Sequence, residues 1–566
     1  MANLEHSAHH HASSFTSRQR TIALVIVALA FVMDLLDTTI VNIAIPSIQT
    51  ELGASYAAIQ WITAGYALAF ATLLITGGRL GDVVGYKKLF IGGVTAFTLA
   101  SLLCGLSPNI ELLIVGRLLQ GAAAAMMAPQ VMSLMQVMYK PKERAAVMGL
   151  FGALGGLSAS LGPIIGGFLI SWNIAGLDWR PIFLINIPVG IFAVVAGLRY
   201  LPRGKSPHPL KLDVIGTVLV FIALGLLVFP LIQGRELGWP SWIFVMIAAS
   251  IPFFVAFWLW QLKKFAKDKS PLIIPSLFRT YSYTIGLITN IVFQFIMIGF
   301  FFTFTLTLQI GLGFDVIKAA LTGLPVAIGI GLSIGVIAPK LTNRIGRYTM
   351  TLGTVVMSIG LIVTTLILQS GGRDVNPWAL SPGLLLIGIG MGMIMGLMFS
   401  ITLKDVPKED AGSASGTLSA GQQVGGAIGI ALVGLIFFGA LSHNAAQSFS
   451  DAEPAIKSYL SSQNVPVAAQ ASIISGVKDC YVDRTEETDN TVVPESCKKL
   501  EQASGQTTGP SLPGLPAVIT DATKQAASDN FANGFKATMI YALAIVGVTF
   551  ILSFLMPHKI EYSMEH

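Results

Sequence analysis

RTIALVIVALAFVMDLLDTTIVNIAIP, Arg20 to Pro46, is the stretch that decides the fold. About 20 apolar residues, rising 1.5 Å each, cross the hydrocarbon core of a bilayer as a helix, and this run has that length. Asp34 and Asp37 lie inside it. A carboxylate at membrane depth costs roughly 2.5 kcal/mol or more to insert, so acids there mark a functional site by default. Their three-residue spacing sets both on one helix face, which can turn toward a protein interior or a water-filled cavity.

The rest of the chain repeats the apolar pattern. Of its 566 residues 53% are hydrophobic and only 11% charged, with mean hydropathy +0.72; soluble domains are about 25% charged. The apolar residues come in runs, at 21–46, 57–78, 89–106, 110–137, 145–170, 182–201, 213–233, 241–261, 282–309, 316–338, 349–369, 379–403, 414–440 and 535–556. They predict an all-α polytopic membrane protein of about fourteen spanning helices in the cytoplasmic membrane. The first run is too long for a signal-peptide core and no small-residue cleavage site ends it, so no cleaved leader is expected. A net charge of +6 and a pI near 9.1 raise nucleic acid as a partner. The basic residues punctuate the apolar runs instead of clustering, which argues against it. No metal cluster, nucleophile triad or phosphate loop is visible, so neither an enzyme nor a bound cofactor is expected.

Lys and Arg concentrate in alternate connections: Arg79, Lys87 and Lys88; Lys140, Lys142 and Arg144; Arg199 to Lys211; Lys263 to Arg279; Lys340 to Arg347; Lys404 and Lys408. The positive-inside rule then puts both termini in the cytoplasm, which requires an even number of spans. His6, His9, His10 and His11 lie in a polar tail whose acid- and thiol-poor surroundings favour a tail over a metal site. Residues 441–534 are polar, Ser/Ala/Pro/Gly-rich and net acidic, and are read as a flexible external loop, the alternative being a ligand- or partner-binding one. Cys104 lies in an apolar run and reads as packing, which leaves Cys480 and Cys497 as the plausible disulfide.

An internal repeat divides the chain. GGRLGDVVGYKK (Gly77–Lys88) and APKLTNRIGRYT (Ala338–Thr349) carry Leu, a polar residue and Gly at equal spacing, as Leu80, Asp82, Gly85 and Leu341, Asn343, Gly346. The expected organisation is a tail (1–20), a six-helix bundle (21–201), a linker with two extra spans (202–280), a second bundle containing the loop (281–556) and a tail (557–566). Gly78, Gly81 and Gly85 are expected to form a tight turn, with Asp82 at the membrane edge.

With these motifs on the page the chain resembles the major facilitator superfamily, and within it the fourteen-helix drug:proton antiporters of the quaternary-ammonium and multidrug exporter type. The resemblance is carried by Leu36–Pro46, by the loop motif with Gly78, Asp82, Gly85 and Lys87, and by Arg117-x-x-Gln120-Gly121. It is carried too by Gly152, Gly156, Gly162, Pro163 and Gly166 and by Asp178–Pro188. It implies a major facilitator fold of two six-helix bundles plus two inserted helices, a cytoplasmic gate at the loop motif and an antiport element on the fifth helix. Independently, the Gly152/Gly156 and Gly162/Gly166 pairs are small-xxx-small spacings that let helices approach closely, and Pro163 can kink its helix.

Arg117 is the natural companion of the acids. Counting 1.5 Å per residue from the outer surface, Arg117 lies about 10 Å deep and Asp37 about 13 Å, and a buried Arg requires a partner. Asp34, Asp37 and Arg117 are therefore the candidate proton-coupling and substrate-binding residues. Asn42, Tyr66, Gln120, Asn290, Gln294, Met391 and Gln422 are candidate cavity-lining side chains; the Phe-rich ninth and Met-rich twelfth spans offer adaptable walls, with packing against lipid or neighbouring helices the favoured reading for any single residue of them. The reading is a proton-coupled antiporter exporting lipophilic, mainly cationic drugs, antiseptics or dyes by alternating access. Its partners are these small molecules, protons and membrane lipid, with a periplasmic adaptor left open. Two alternatives stand beside it: the same fold exporting an endogenous metabolite, lipid or peptide, and a transporter-derived receptor or scaffold.

Overall fold

The computed structural model describes residues 17–139, 141–206, 211–268, 270–407, 410–487, 492–505, 512 and 514–556. The His-rich tract and the 557–566 tail lie outside the described residues. Within them every regular element is helical. The first half holds α1 (Ser17–Leu52), α2 (Tyr56–Val84), α3 (Tyr86–Gly105), α4 (Ile110–Met138), α5 (Pro141–Ser171) and α6 (Pro181–Tyr200). The inserted pair is α7 (Val214–Gln233) and α8 (Ser241–Asp268). The second half holds α9 (Tyr281–Gly311), α10 (Val316–Ile345), α11 (Tyr348–Asp374), α12 (Pro377–Leu403) and α13 (Ala411–Ser462). It is followed by two short polar helices, α14 (Val467–Glu486) and α15 (Glu495–Gly505), and by α16 (Leu515–Leu555). Thirteen of the described helices are long and apolar enough to cross a bilayer. With 31 residues α5 has the length as well, and its Leu161–Ser171 end is apolar, which brings the set to fourteen.

The chain caps its helices with side chains where the backbone must begin a new turn ladder. Ser55 accepts from Ala58 N–H, Asn109 from Leu112, Asp213 from Gly216 and Asp315 from Lys318, each satisfying one amide that the helix leaves without a partner. Packing within the first half joins α2 and α3 to α4, and α1 to α5 and α6; within the second, α9 to α13, α12 to α10 and α11, and α13 to α16. The halves meet through α13 on α2 and α10 on α5.

The sequence repeat is also a geometric one. Gly85 (φ 108°) turns α2 into α3 and Gly346 (φ 56°) turns α10 into α11, a left-handed backbone that favours glycine. The basic residue just past each turn then ties down the end of the last spanning helix of its own half. Lys87 Nζ donates to Leu198 O and Leu201 O at 2.7 and 2.9 Å, and Arg347 Nη1 to Phe554 O and Met556 O at 2.9 and 2.6 Å. One expectation is corrected here. Residues 78–84 are not a turn, because α2 stays helical through Val84 and the reversal occurs at Gly85 alone.

The halves close against each other at one end. Gln309 Nε2 donates to Ile43 O (3.1 Å) and Tyr56 stacks on Phe438 with centroids 4.1 Å apart, while Arg235 of the inserted pair donates to Ser442 Oγ (2.6 Å). At the opposite, Lys/Arg-rich end there are two apolar clusters, one around Phe90, Phe97 and Met135 of the first half, which Ala420 of α13 joins, the other around Leu277, Tyr283 and Leu418. There the inserted pair is bound to α2. Arg79 donates to the carbonyls of Lys211, Ser270 and Pro271, and buried Asp213 accepts from Trp260, Gln261 and the amides of Gly216 and Leu272.

The segment 441–534 differs from the expected flexible loop. The 52-residue α13 is about 78 Å long at 1.5 Å per residue, far more than the ~30 Å hydrocarbon core needs. Its outer part packs with α14 and the start of α16 around Phe449, Ala452, Ile456, Leu460, Ile474, Val477, Ala522 and Ala526. Spacings of three and four residues on α13 put these on one helix face. That sparse stripe is diluted by Ser, Asp and Lys, and the average hydropathy hides it. The Cys480–Cys497 disulfide joins α14 to α15 and completes this cap.

Close packing falls on glycines beside the motif residues. A methyl on Gly77 would collide with the backbone at Ala125 O, whereas one on Gly78 would meet Pro129 Cβ at an ordinary 3.6 Å. Gly77→Ala is expected to destabilise the protein by about 1–3 kcal/mol through forced helix separation, with Gly78→Ala close to the parent. Thermal unfolding of both variants in detergent checks the difference.

Candidate functional site

The first-helix acids are placed by glycines on two neighbouring helices. On α4, Gly116 lies against Cys104 of α3 and Gly121 against the Tyr66 backbone of α2, each too close to accept a Cβ without a shift. Between these contacts Arg117 and Gln120 point toward α1. On α5, a Cβ at Gly162 would clash with Thr39, and one at Gly166 would lie 2.7 Å from Ile40 and Ile43 side-chain carbons. The small-residue spacing thus seats α5 on α1 one turn past Asp37. Pro163 lies within a continuous α5, and Gly152 and Gly156 are on the same helix, where only their backbone is described.

Asp37 and Arg117 are in direct contact, with Nη1 to Oδ2 at 2.5 Å and each residue 1% exposed. The depth count that set them level is matched by this contact. The second carboxylate oxygen of Asp37 accepts from Gln120 Nε2 at 2.7 Å and Asn186 Nδ2 at 3.0 Å. Both amides also reach Ser101 Oγ, at 2.8 and 3.2 Å. Arg117 donates further to Ile62 O (2.9 Å) and Gln120 Oε1 (2.7 Å), and its guanidinium lies 4.4 Å from the Tyr66 ring centroid. Asp34 is held differently. It accepts from the Tyr66 hydroxyl at 2.5 Å. The site therefore contains a fully ligated anion at Asp37, a cation at Arg117, and a second acid at Asp34 whose side-chain donor is a phenol. A buried ion pair holds only when its remaining hydrogen-bonding capacity is met, and here α2, α4 and α6 supply partners to the pair while Ser101 of α3 holds the two amides.

Asn186 and Ser101 are site residues that sequence reading did not single out. Asn186 was visible as a polar residue in an apolar run within the Asp178–Pro188 stretch; Ser101 carried no signal of its own. The other expected residues are dispersed. Asn42 lies on α1, partly buried, its carbonyl oxygen buried with no hydrogen-bond partner; Asn290 on α9 is fully buried with both polar atoms unpartnered. Gln294 is buried and Gln422 half-buried. Met391 belongs to the apolar core, as do Phe293, Phe300, Phe302 and Phe304 of the Phe-rich span. Phe300 stacks on Phe304 at 5.3 Å and Phe302 packs on Phe438 at 6.2 Å, so these rings are packing. At the Lys/Arg-rich end, Asp82 accepts from Tyr86 at 3.0 Å beside Gly78 and Gly85. Among the described residues no group of three or more His, Cys, Asp and Glu could hold a metal ion.

Comparison with known proteins adds to this geometry. The sequence model of the Major Facilitator Superfamily matches residues 27–215 and 206–430. The chain is 38% identical over 541 residues, 96% of this chain and 92% of the other, to the "Probable actinorhodin transporter" of Streptomyces coelicolor. It is 34% identical to the "Tetracenomycin C resistance and export protein" of Streptomyces glaucescens, over 73% of this chain and 75% of that protein. To the "Methylenomycin A resistance protein" of Bacillus subtilis it is 32% identical, over 74% and 88%. A solved bacterial homolog of the human lysosomal transporter Spinster, in an inward-facing conformation, shares the fold at TM-score 0.56 with 15% identity, covering 96% of this chain and 98% of that one.

The site makes a sharp energetic expectation. Asp37→Asn leaves Arg117 charged and without its anion in a buried place, at a cost of about 3–5 kcal/mol. Adding Arg117→Gln removes the stranded charge and restores more than half of the loss. A double-mutant cycle of thermal unfolding measures both.

Proposed function

The chain belongs to the Major Facilitator Superfamily, a family of transporters and not of enzymes, and from that membership we propose that it is a proton-coupled exporter of lipophilic, mainly cationic compounds. The observation that carries this reading is the buried Asp34–Tyr66–Arg117–Asp37 assembly on α1, α2 and α4. Relatives named for antibiotic resistance or export support a small-molecule drug as cargo.

The two acids divide the work. Asp37, with Arg117 and two amides on it, is the fixed anion that keeps the arginine folded into the site. Asp34, held by one phenol, is the acid that exchanges a proton for the cargo: ionised, it attracts a cation from the cytoplasmic side; protonated from outside, it releases it. Both termini and the Lys/Arg-rich end lie in the cytoplasm on this reading, and the two six-helix halves rock about the site. Contact between the halves at the capped end, through Gln309 on Ile43 O and Tyr56 on Phe438, is what a state that admits cargo from inside requires. The proton gradient supplies the drive and no cofactor is required. One proton exchanged for one monovalent cation moves no net charge and uses about 1.4 kcal/mol per pH unit; a second proton adds about 2.3 kcal/mol per 100 mV.

A second reading keeps the fold and changes the cargo to a single metabolite, with Arg117 as its ligand if it is anionic. It is favoured by the match over nearly the full chain to a protein named for transport of one compound. Competition between cationic and anionic compounds for export separates the two.

Cells lacking their own exporters and expressing this chain are expected to exclude cationic dyes and antiseptics, and to lose the exclusion on adding a protonophore. Asp34→Asn should fold like the parent, since the amide oxygen still accepts from the Tyr66 hydroxyl, yet abolish protonophore-sensitive export. Equal export by Asp34→Asn and the parent at matched expression would sink the coupling role.

The rocking motion has its own test. A Cβ on Gly167 of α5 would lie 3.3 Å from Ala320 Cβ of α10, near the roughly 3.8 Å of disulfide-linked residues. Gly167→Cys with Ala320→Cys should cross-link under oxidation and stop export, and reductant should restore it. The parent under the same treatments controls for the Cys480–Cys497 bridge. Undiminished export by the cross-linked protein argues against alternating access at this interface.

A further inference from the structure

We infer that the cleft between the α2–α3 turn and the end of α6 binds the headgroup of an anionic phospholipid. The cleft has a volume of about 610 Å³ and is lined by four cationic residues, Lys87, Lys88, Arg203 and Lys205, together with Val84, Ile91 and Leu198. Among the described residues none of the four cations is in an ion pair with Asp or Glu. Lys87 Nζ is held by the carbonyls of Leu198 and Leu201, which orient the ammonium without neutralising it. Lys88, Arg203 and Lys205 are exposed. The cleft therefore gathers positive charge that the protein itself leaves unbalanced.

Its position selects a lipid over a soluble anion. The cations sit where three spanning helices end, and apolar side chains of two of them stay exposed beside the charge, Val84 at 44% and Leu198 at 61%. A phosphate among the cations would direct its acyl chains along Leu198 and Ile91, down the lipid-facing flank of α6 and α3. Basic pockets at the ends of spanning helices are suited to acidic headgroups for this reason. The floor is also built in advance. Tyr86 N–H donates to Gly204 O at 2.9 Å, and a Cβ on Gly204 would press on the Tyr86 ring at 3.0 Å. The segment carrying Arg203 and Lys205 is thereby fixed against the turn carrying Lys87 and Lys88.

The inference is independent of what the protein transports. The test uses the purified full chain in a non-ionic detergent, titrated with dioleoyl phosphatidylglycerol or dioleoyl phosphatidylcholine, with retained lipid counted by native mass spectrometry. Phosphatidylglycerol is expected to be retained at concentrations about tenfold lower than phosphatidylcholine. The Lys88→Gln/Arg203→Gln/Lys205→Gln variant should lose that preference, and Lys88→Arg/Arg203→Lys/Lys205→Arg should keep it. Should the neutral triple variant fail to purify with parental helix content, Arg203→Gln alone is expected to weaken the preference by about threefold. Equal retention of the two lipids by the parent, or an undiminished preference in the neutralised variant, overturns the proposal. Displacement of phosphatidylglycerol by millimolar inorganic phosphate also overturns it, since the site would then serve a soluble anion.

Discussion

A guanidinium and a carboxylate placed in contact inside the first bundle set the terms for everything around them. Neither Arg117 nor Asp37 could be left alone at that depth: each ion by itself costs several kcal/mol to bury. Pairing alone is also insufficient, because the pair retains lone pairs and N–H groups that water no longer satisfies. The surrounding helices supply the remainder through Gln120, Asn186 and the Ile62 carbonyl, with Ser101 behind the two amides. Five helices are thereby brought to a common point, and glycines at 116, 121, 162 and 166 are the consequence. They remove the side chains that would hold α4 off α2 and α3, and α5 off α1.

The same construction explains why Asp34 stands apart. Three residues from Asp37, it shares the helix face but not the ligands. Tyr66 lies between the two acids, its hydroxyl on Asp34 and its ring under the guanidinium of Arg117. One aromatic residue thus touches both Asp34 and the arginine of the Arg117–Asp37 pair.

Away from the site the fold is held by basic residues that bind backbone. Lys87 and Arg347 do so symmetrically, one in each half, and Arg79 does so for the inserted pair. In each case a cation at the Lys/Arg-rich end takes up carbonyls left open where a chain segment ends or turns. The inserted helices are thus attached to α2, the helix that meets the second half through α13. The cap at the other end is built on extensions of α13 and α16, both in the second half, and below it α13 meets Arg235 of the inserted pair and Tyr56 of the first half.

Length and hydropathy by themselves determined the membrane and the set of spanning helices, and the repeat of Leu80, Asp82, Gly85 in Leu341, Asn343, Gly346 pointed to two halves. A bilayer permits little else for apolar runs of that size. The acids in the first helix and Arg117 in the fourth were legible for the same reason, since a charge in such a run has no cheap explanation. Which atoms meet was decided only in three dimensions. Asn186 and Ser101 look like ordinary helix residues until five helices converge on Asp37. Packing, the favoured reading for any one Phe of α9 or Met of α12, is what Phe293, Phe300, Phe302, Phe304 and Met391 show, but which neighbours they pack on was not written in the sequence. The cap escaped the sequence because its stability comes from a thin apolar stripe and partners more than sixty residues away, such as Phe449 with Ala522 and Ala526. Burial against lipid is written locally, residue by residue; burial against protein depends on which distant segment arrives to cover it.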